Sequence, residues 1–274
     1  MTDTIAPKPV VDLSAIPKPP AKSLIAWLLD IVIWGGVAAL LIYSFKAVDL
    51  QNLPLLVTNA GTAGNLSDFL RPDFGDWRLF VAKMWETVQI ALWGTFIALF
   101  MAIPLGLAAA RNIAPIWIVT PVRWVMNLLR SVPDLVIGLV LVVIVGLGPL
   151  AGVLAIALNT AGVLAKLFSE AVESIDKGPV EGVRATGAAP LHEIVWGVLP
   201  QVAPLWTSFA LYRFESNSRS ATILGVIGAG GIGQVLFDRM NAFEYSEAAA
   251  IVVIVVIAVT LIDMLSQAMR KRLL

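Results

Sequence analysis

Long apolar runs alternate with short polar stretches along this chain. Residues 24–45 carry Asp30 as their single charge, and residues 87–110 carry none. Residues 135–165 are also uncharged but too long for one crossing. Gly-Leu-Gly-Pro at 146–149 divides them, predicting helices near 132–147 and 150–170. Residues 195–212 are uncharged and run on into a polar stretch. Residues 248–262 are uncharged and extend to about residue 267. A helix that spans a bilayer needs ~20 mostly apolar residues. The pattern therefore predicts an all-α integral membrane protein with six transmembrane helices. Residues 115–131 are apolar too, but Arg123, Arg130 and Pro121 interrupt them. They read as an interfacial helix leading into the third span.

Composition supports this class. The chain is 58% hydrophobic and 14% charged, whereas about a quarter of the residues of a soluble domain are charged. Its mean hydropathy is +0.86. The formal net charge is zero, which leaves no basic face for nucleic acid. Without cysteine there is no disulfide, thiolate metal site or cysteine nucleophile, and one histidine argues against a histidine metal site or triad. A non-catalytic chain with no bound cofactor or metal is expected. Residues 1–22 hold Pro7, Pro9, Pro17, Pro19 and Pro20 and read as a disordered cytoplasmic tail. The apolar run that follows is too long for a signal peptide and lacks a cleavage site, so it is expected to be a retained anchor.

Orientation follows from lysine and arginine in short loops. Lys8, Lys18 and Lys22 precede the first span, and Arg270, Lys271 and Arg272 follow the last. Both termini are expected in the cytoplasm, which an even number of spans permits. The organisation expected is a tail at 1–22, an N-terminal transmembrane helix at 23–46, an extracytoplasmic loop at 47–81 and a membrane core at 82–270. The outer loop holds Asp49, Asp68, Arg71, Asp73, Asp76 and Arg78, acidic on balance. Arg111, Arg123, Arg130, Lys177 and Arg184 fall on the cytoplasmic side.

The cytoplasmic loop at 171–196 is long for a compact domain, and such loops are often functional. Ala171, Ile175, Val180 and Val183 form an apolar side, with Gly178–Pro179 as a stop and restart. Gly187 separates a second piece, 190–196, which opens on a proline, and Leu199–Pro200 restarts the chain upward. Two short helices hinged at glycine are either an amphipathic segment resting on headgroups or a lever that another protein pushes. Glu181-Gly182-Val183, then three residues, Gly187, nine residues, Gly197, Val198 and Leu199-Pro200 resemble the cytoplasmic loop of ABC importer permeases. The glutamate, the glycine and the Leu-Pro keep that family's spacing; its two alanines and its isoleucine are replaced by small or apolar residues. Residues 86–112, 128–143 and above all 211–233 (LYRFESNSRSATILGVIGAGGIG) are similar to the phosphonate-type branch, over about residues 80–270.

The resemblance implies a five-helix type I importer core behind one N-terminal helix, in a bacterial cytoplasmic (inner) membrane. It implies a second copy of the chain, two ATPase subunits carrying ATP-Mg, and an extracytoplasmic solute-binding protein. Glu181, Gly182, Arg184, Gly187, Ala188, His192, Leu199 and Pro200 would be the ATPase-coupling loop. The load implied is a phosphonate or a related phosphorus oxyanion, phosphate or phosphite.

The fifth span runs into Arg213, Glu215, Asn217, Ser218, Arg219 and Thr222. Charge inside a membrane is expensive and marks a pathway or a pair. Glu215 and Arg219 are spaced to pair on one helix face, while Arg213 points about 120° away from Arg219. These residues are either a structural ion pair at the outer interface or a path with donors for an oxyanion, to which arginine's planar fork is suited. The glycines of 228–233 follow no βαβ pattern, so a tight bend near the outer gate is expected rather than a nucleotide loop. A methionine or quaternary-amine permease is the alternative within the family. An ion-gradient secondary transporter and a non-transporting scaffold are the alternatives outside it.

Overall fold

A computed structural model describes residues 24–48 and 67–273. The chain divides into two units, 1–63 and 64–274. The expected tail at 1–22 and most of the expected outer loop lie outside the described residues. In the first unit, α1 (Leu24–Ala47) is a 24-residue helix. It is apolar on all sides, with Leu28, Trp34 and Leu41 among its exposed side chains. At 1.5 Å per residue it is about 36 Å long, enough for a bilayer core of ~30 Å.

The second unit is built from α2 (Trp77–Ala109), α3 (Ile116–Ser131), α4 (Asp134–Val145), α5 (Pro149–Glu173), α6 (Lys177–Ala185), α7 (Leu199–Gly225), α8 (Ile232–Asn241) and α9 (Tyr245–Leu273). The described residues contain no strand. Five helices among them are long and apolar enough to cross a membrane, and the count reaches six if the bent pair α3–α4 is one span. This revises the third crossing. α4 has 12 residues, about 18 Å of helix, and is too short to span alone. Pro133 causes the break, because the residue before a proline is pushed out of helical conformation; Val132 is extended at φ −92°, ψ 122°. The chain turns through 87° between α3 and α4, so α4 crosses only together with its neighbours, and α3 meets it nearly at a right angle.

α2 and α5 form the centre. Small residues let their backbones approach, the usual solution where lipid offers no hydrophobic drive between helices. A Cβ on Gly94 would stand 2.7 Å from Ile156 Cγ2, and one on Gly106 would stand 2.7 Å from Phe168 Cβ. Phe168 stacks on Trp206 of α7 with ring centroids 4.4 Å apart. At one end of the bundle Glu173 accepts from Arg123 Nη2 at 2.6 Å and from the Arg111 backbone N–H at 2.8 Å. Asn112 Nδ2 donates to the Val172 carbonyl at 2.7 Å. The ends of α2 and α5 and the side of α3 thus share the membrane side on which the sequence grouped Arg111 and Arg123.

Candidate functional site

Segment 171–196 is folded differently from its sequence expectation. Residues 171–173 complete α5, and the chain breaks at Ser174–Asp176 instead of Gly178–Pro179. Asp176 caps α6 by accepting the Gly178 N–H at 3.0 Å. Pro179 sits in the first turn, where a missing N–H leaves nothing unpaired. After Gly187, at φ +77°, the chain runs as one helical stretch from Pro190 to Gly225. Leu199–Pro200 therefore does not restart the chain. Residues Glu193–Val198 are wound as a π-helix, and that local widening accommodates Pro200, whose ring would clash with a carbonyl of a regular preceding turn.

α6 and the π segment are clasped together. Arg184 meets Glu193 through two hydrogen bonds, Nε to Oε1 at 3.0 Å and Nη2 to Oε2 at 2.8 Å. The bond to Glu193 and then its charge hold the Arg184 guanidinium above the ordinary arginine value. A Cβ on Gly197 would lie 3.0 Å from Val180 Cα, so the two pieces pack backbone to backbone there. Gln201 bridges below them. Its Nε2 donates to Gly197 O at 2.7 Å and Asp176 O at 3.2 Å, and its Oε1 accepts the Asp176 N–H at 3.1 Å. Glu181, Gly182, Gly187, His192 and Pro200 are exposed, while Ala188 and Leu199 are half-buried. A cavity of about 700 Å³ separates the clasp from the α2–α3 connection, with Asn112, Ile113, Val180, Arg184, Glu193 and Ile194 among its walls. Gly197 enters the sequence reading only as a spacing position of the loop, and Gln201 not at all. Their roles depend on contacts with Val180 and Asp176, which no local spacing reveals.

The polar residues of α7 fall into two groups. Asn217 is 2% exposed. Its Nδ2 donates to Thr95 Oγ1 of α2 at 2.8 Å, and its Oδ1 accepts from Thr160 Oγ1 of α5 at 3.0 Å. Arg213 Nη2 reaches Asn217 Oδ1 at 3.5 Å and Thr160 Oγ1 at 3.4 Å, and its Nε is buried with no hydrogen-bond partner. The second group lies toward α9. Glu215 accepts from Arg219 Nη2 at 3.2 Å, as its spacing predicts, and from Arg270 Nη2 at 3.3 Å. The Arg270 guanidinium also sits 5.9 Å from the centre of the Tyr212 ring. The sequence counts Arg270 among the cationic residues that follow the last span; in the structure α9 carries its guanidinium against α7. Ser218 is fully buried and donates to Phe214 O, and Thr222 donates to Ser218 O, so both hydroxyls serve their own helix. The helix continues past all of these residues to Gly225.

At the opposite end of the bundle from Glu173, the glycines of 228–233 make the tight bend expected. Gly228, Gly230 and Gly231 have φ of +85°, +79° and +77°. The Gly231 N–H donates to Glu86 Oε1 at 3.0 Å, and the Ile232 N–H donates to Thr87 Oγ1 at 2.8 Å.

Helices long and apolar enough to cross a membrane pack around a seam of buried polar groups, with a clasped helix pair at one end, an arrangement suited to a membrane transport subunit. A family description, binding-protein-dependent transport system inner membrane component, matches residues 102–274. The chain belongs to that family. It is 41% identical over 223 residues to a phosphite transport system permease protein of Stutzerimonas stutzeri, covering 81% of this chain and 79% of that one. It is 56% identical over 118 residues to a putative cryptic phosphonate transport system permease protein of Escherichia coli K12, covering 43% of this chain and 97% of that one. In fold it is similar to a chain of the MetNI methionine ABC transporter in an inward-facing form, with a TM-score of 0.65 at 23% identity over 74% of this chain and 99% of that chain.

Proposed function

We propose that this chain is the non-catalytic permease subunit of an ATP-driven importer for phosphorus oxyanions: phosphite, phosphonate or phosphate. The observation that carries this reading is the 41% identity to a phosphite permease across most of both chains. The arginines of the α7 region support it, since a guanidinium fork matches an oxyanion and would repel a quaternary amine. Two copies would enclose the path, with an extracytoplasmic binding protein delivering the load. Two ATPase subunits, which alone would carry ATP-Mg, would grip Glu181, Gly182, Arg184, Gly187, Ala188, His192, Leu199 and Pro200. Both termini would face the cytoplasm of a bacterial inner membrane. The Arg184–Glu193 clasp makes α6 and the start of the 190–225 helix one rigid piece, so a push on α6 is delivered directly to the helix that carries Arg213 and Glu215.

The test is labelled phosphite and phosphate uptake in phosphate-starved cells with and without this chain, with methylphosphonate as competitor. Chain-dependent uptake that methylphosphonate blocks is expected. No change in either uptake on deletion would overturn the assignment of load. The coupling role has its own test. Gly187→Glu is expected to lower uptake about tenfold in an assembled complex, because it adds charge to an exposed docking face and forces a positive φ worth ~1–2 kcal/mol on a side chain. Gly187→Ala carries the same backbone strain without the charge and is expected to lose less. Equal uptake by Gly187→Glu and the wild type would count against docking at this turn.

A further inference from the structure

The pairing of Glu215 with two arginines from different helices has a consequence for how a load is held and released. We propose that Glu215 is a resident counter-ion, and that an arriving oxyanion displaces it from Arg219 and Arg270. This rests on the oxyanion reading above and adds Arg270 of α9 to the path.

Each guanidinium gives Glu215 a single N–H, at 3.2 Å and 3.3 Å. Charge-assisted bonds are usually about 2.7–2.9 Å, and elsewhere in this chain Arg123–Glu173 and Arg184–Glu193 close to 2.6 Å and 2.8 Å. Glu215 is therefore shared loosely between two cations. An arginine has five N–H donors, so most of the donors on Arg219 and Arg270 remain for another acceptor. The Arg219 side chain is 50% exposed and the Glu215 side chain 10%. An anion can thus approach from the Arg219 side while the carboxylate stays behind it. The trio carries one net positive charge, which attracts an anion. A planar carboxylate offers these arginines one oxygen each. A tetrahedral oxyanion has further oxygens at separate corners and can bridge both forks.

The same exchange explains release. Two converging arginines without a counter-ion would hold an oxyanion too tightly for a pathway, which must bind weakly enough to let go. When the load moves on, Glu215 returns and removes the attraction. Arg213 takes no part, since its guanidinium turns to Thr160 and Asn217.

The experiment uses the complete complex of this chain, its ATPase and its binding protein in proteoliposomes, with inorganic phosphite as probe. Phosphite import is measured as kcat and KM. Phosphite binding to the purified complex without binding protein is measured by equilibrium dialysis. Glu215→Gln is expected to bind phosphite about tenfold more tightly and to turn over about tenfold more slowly. Adding Arg270→Gln should remove the gain in binding. Unchanged binding by an assembled Glu215→Gln complex, beside normal wild-type import, overturns the counter-ion role alone. If Glu215→Gln does not assemble, Glu215→Asp decides: its withdrawn carboxylate should shift binding the same way by a few-fold, and no shift overturns the proposal. If the wild-type complex imports no phosphite, phosphate or methylphosphonate, the oxyanion reading itself falls, and that result needs no variant.

Discussion

Asn217→Leu is expected to yield little assembled permease and uptake below about a tenth of wild type. Asn217 joins three helices through hydrogen bonds to Thr95 and Thr160. The two neutral bonds are the smaller part of its effect, because side-chain hydrogen bonds within membranes average about 0.6 kcal/mol. Arg213 is the larger part. Its Nη2 has its contacts with Asn217 and Thr160, and its Nε already lacks a partner. Removing one of the two acceptors of a half-buried guanidinium costs about 1–3 kcal/mol, a sizeable fraction of a typical fold's ~5–15 kcal/mol. Leucine has the branching of asparagine but a larger volume and no acceptor. The check is the melting temperature and yield of the purified complex. Asn217→Asp, which keeps the acceptor and adds a counter-charge to Arg213, should assemble far better than Asn217→Leu. A leucine variant as stable as wild type would mean that the Thr95–Asn217–Thr160 seam does not hold these helices together.

What could be seen in the sequence divides along the reach of the interactions. Lipid makes each spanning helix satisfy its own backbone and turn apolar side chains outward. Residues 87–110 and 248–262 therefore announced α2 and α9 without any knowledge of their neighbours. The Glu215–Arg219 pair was equally visible, because a spacing of four on one helix needs no tertiary information. Arg270 was not. It lies 55 residues beyond Glu215 beside Lys271 and Arg272, where charge-counting reads it as a topology signal. Thr95 stands 122 residues from Asn217, and an isolated threonine in an apolar run carries no mark of its partner. The break before α4 was half visible. Pro133 stood in the sequence, but the 87° turn it introduces depends on what α3 packs against. In the fold Arg123, midway along α3, is satisfied by Glu173 and the Ala109 carbonyl, partners that no local spacing reveals. The π segment escaped for a related reason: Leu-Pro reads as a stop when regular α geometry is assumed, and a widened turn removes the clash.

Gly233→Ala is expected to abolish uptake through the smallest possible change of side chain. A Cβ there would overlap the Thr222 carbonyl oxygen, with Gly225 Cα 3.1 Å away. A Cβ on Gly225 would in turn meet the Gly230 carbonyl oxygen at 2.7 Å. The end of α7 and the start of α8 therefore touch through backbone, which cannot rotate aside. Relief requires α8 to move, and its first residues hold the bend to α2 through Glu86 and Thr87. The Gly228 carbonyl also accepts the Gly148 N–H at 2.9 Å, tying the bend to the start of α5. Overpacking costs about 1–3 kcal/mol, and each lost hydrogen bond adds about 0.5–1.5 kcal/mol, so the latch should open before the overlap is tolerated. Gly138→Ala provides the comparison. Its Cβ would meet Leu224 Cδ2 at 2.6 Å and Ile227 Cδ1 at 3.0 Å, the far ends of side chains that can change rotamer. Gly138→Ala should thus lower the melting temperature much less than Gly233→Ala. Melting curves and uptake of the two assembled complexes make the check. Equal losses would mean that the contact between α7 and α8 yields as easily as side-chain packing, and that the glycine bend is no rigid latch.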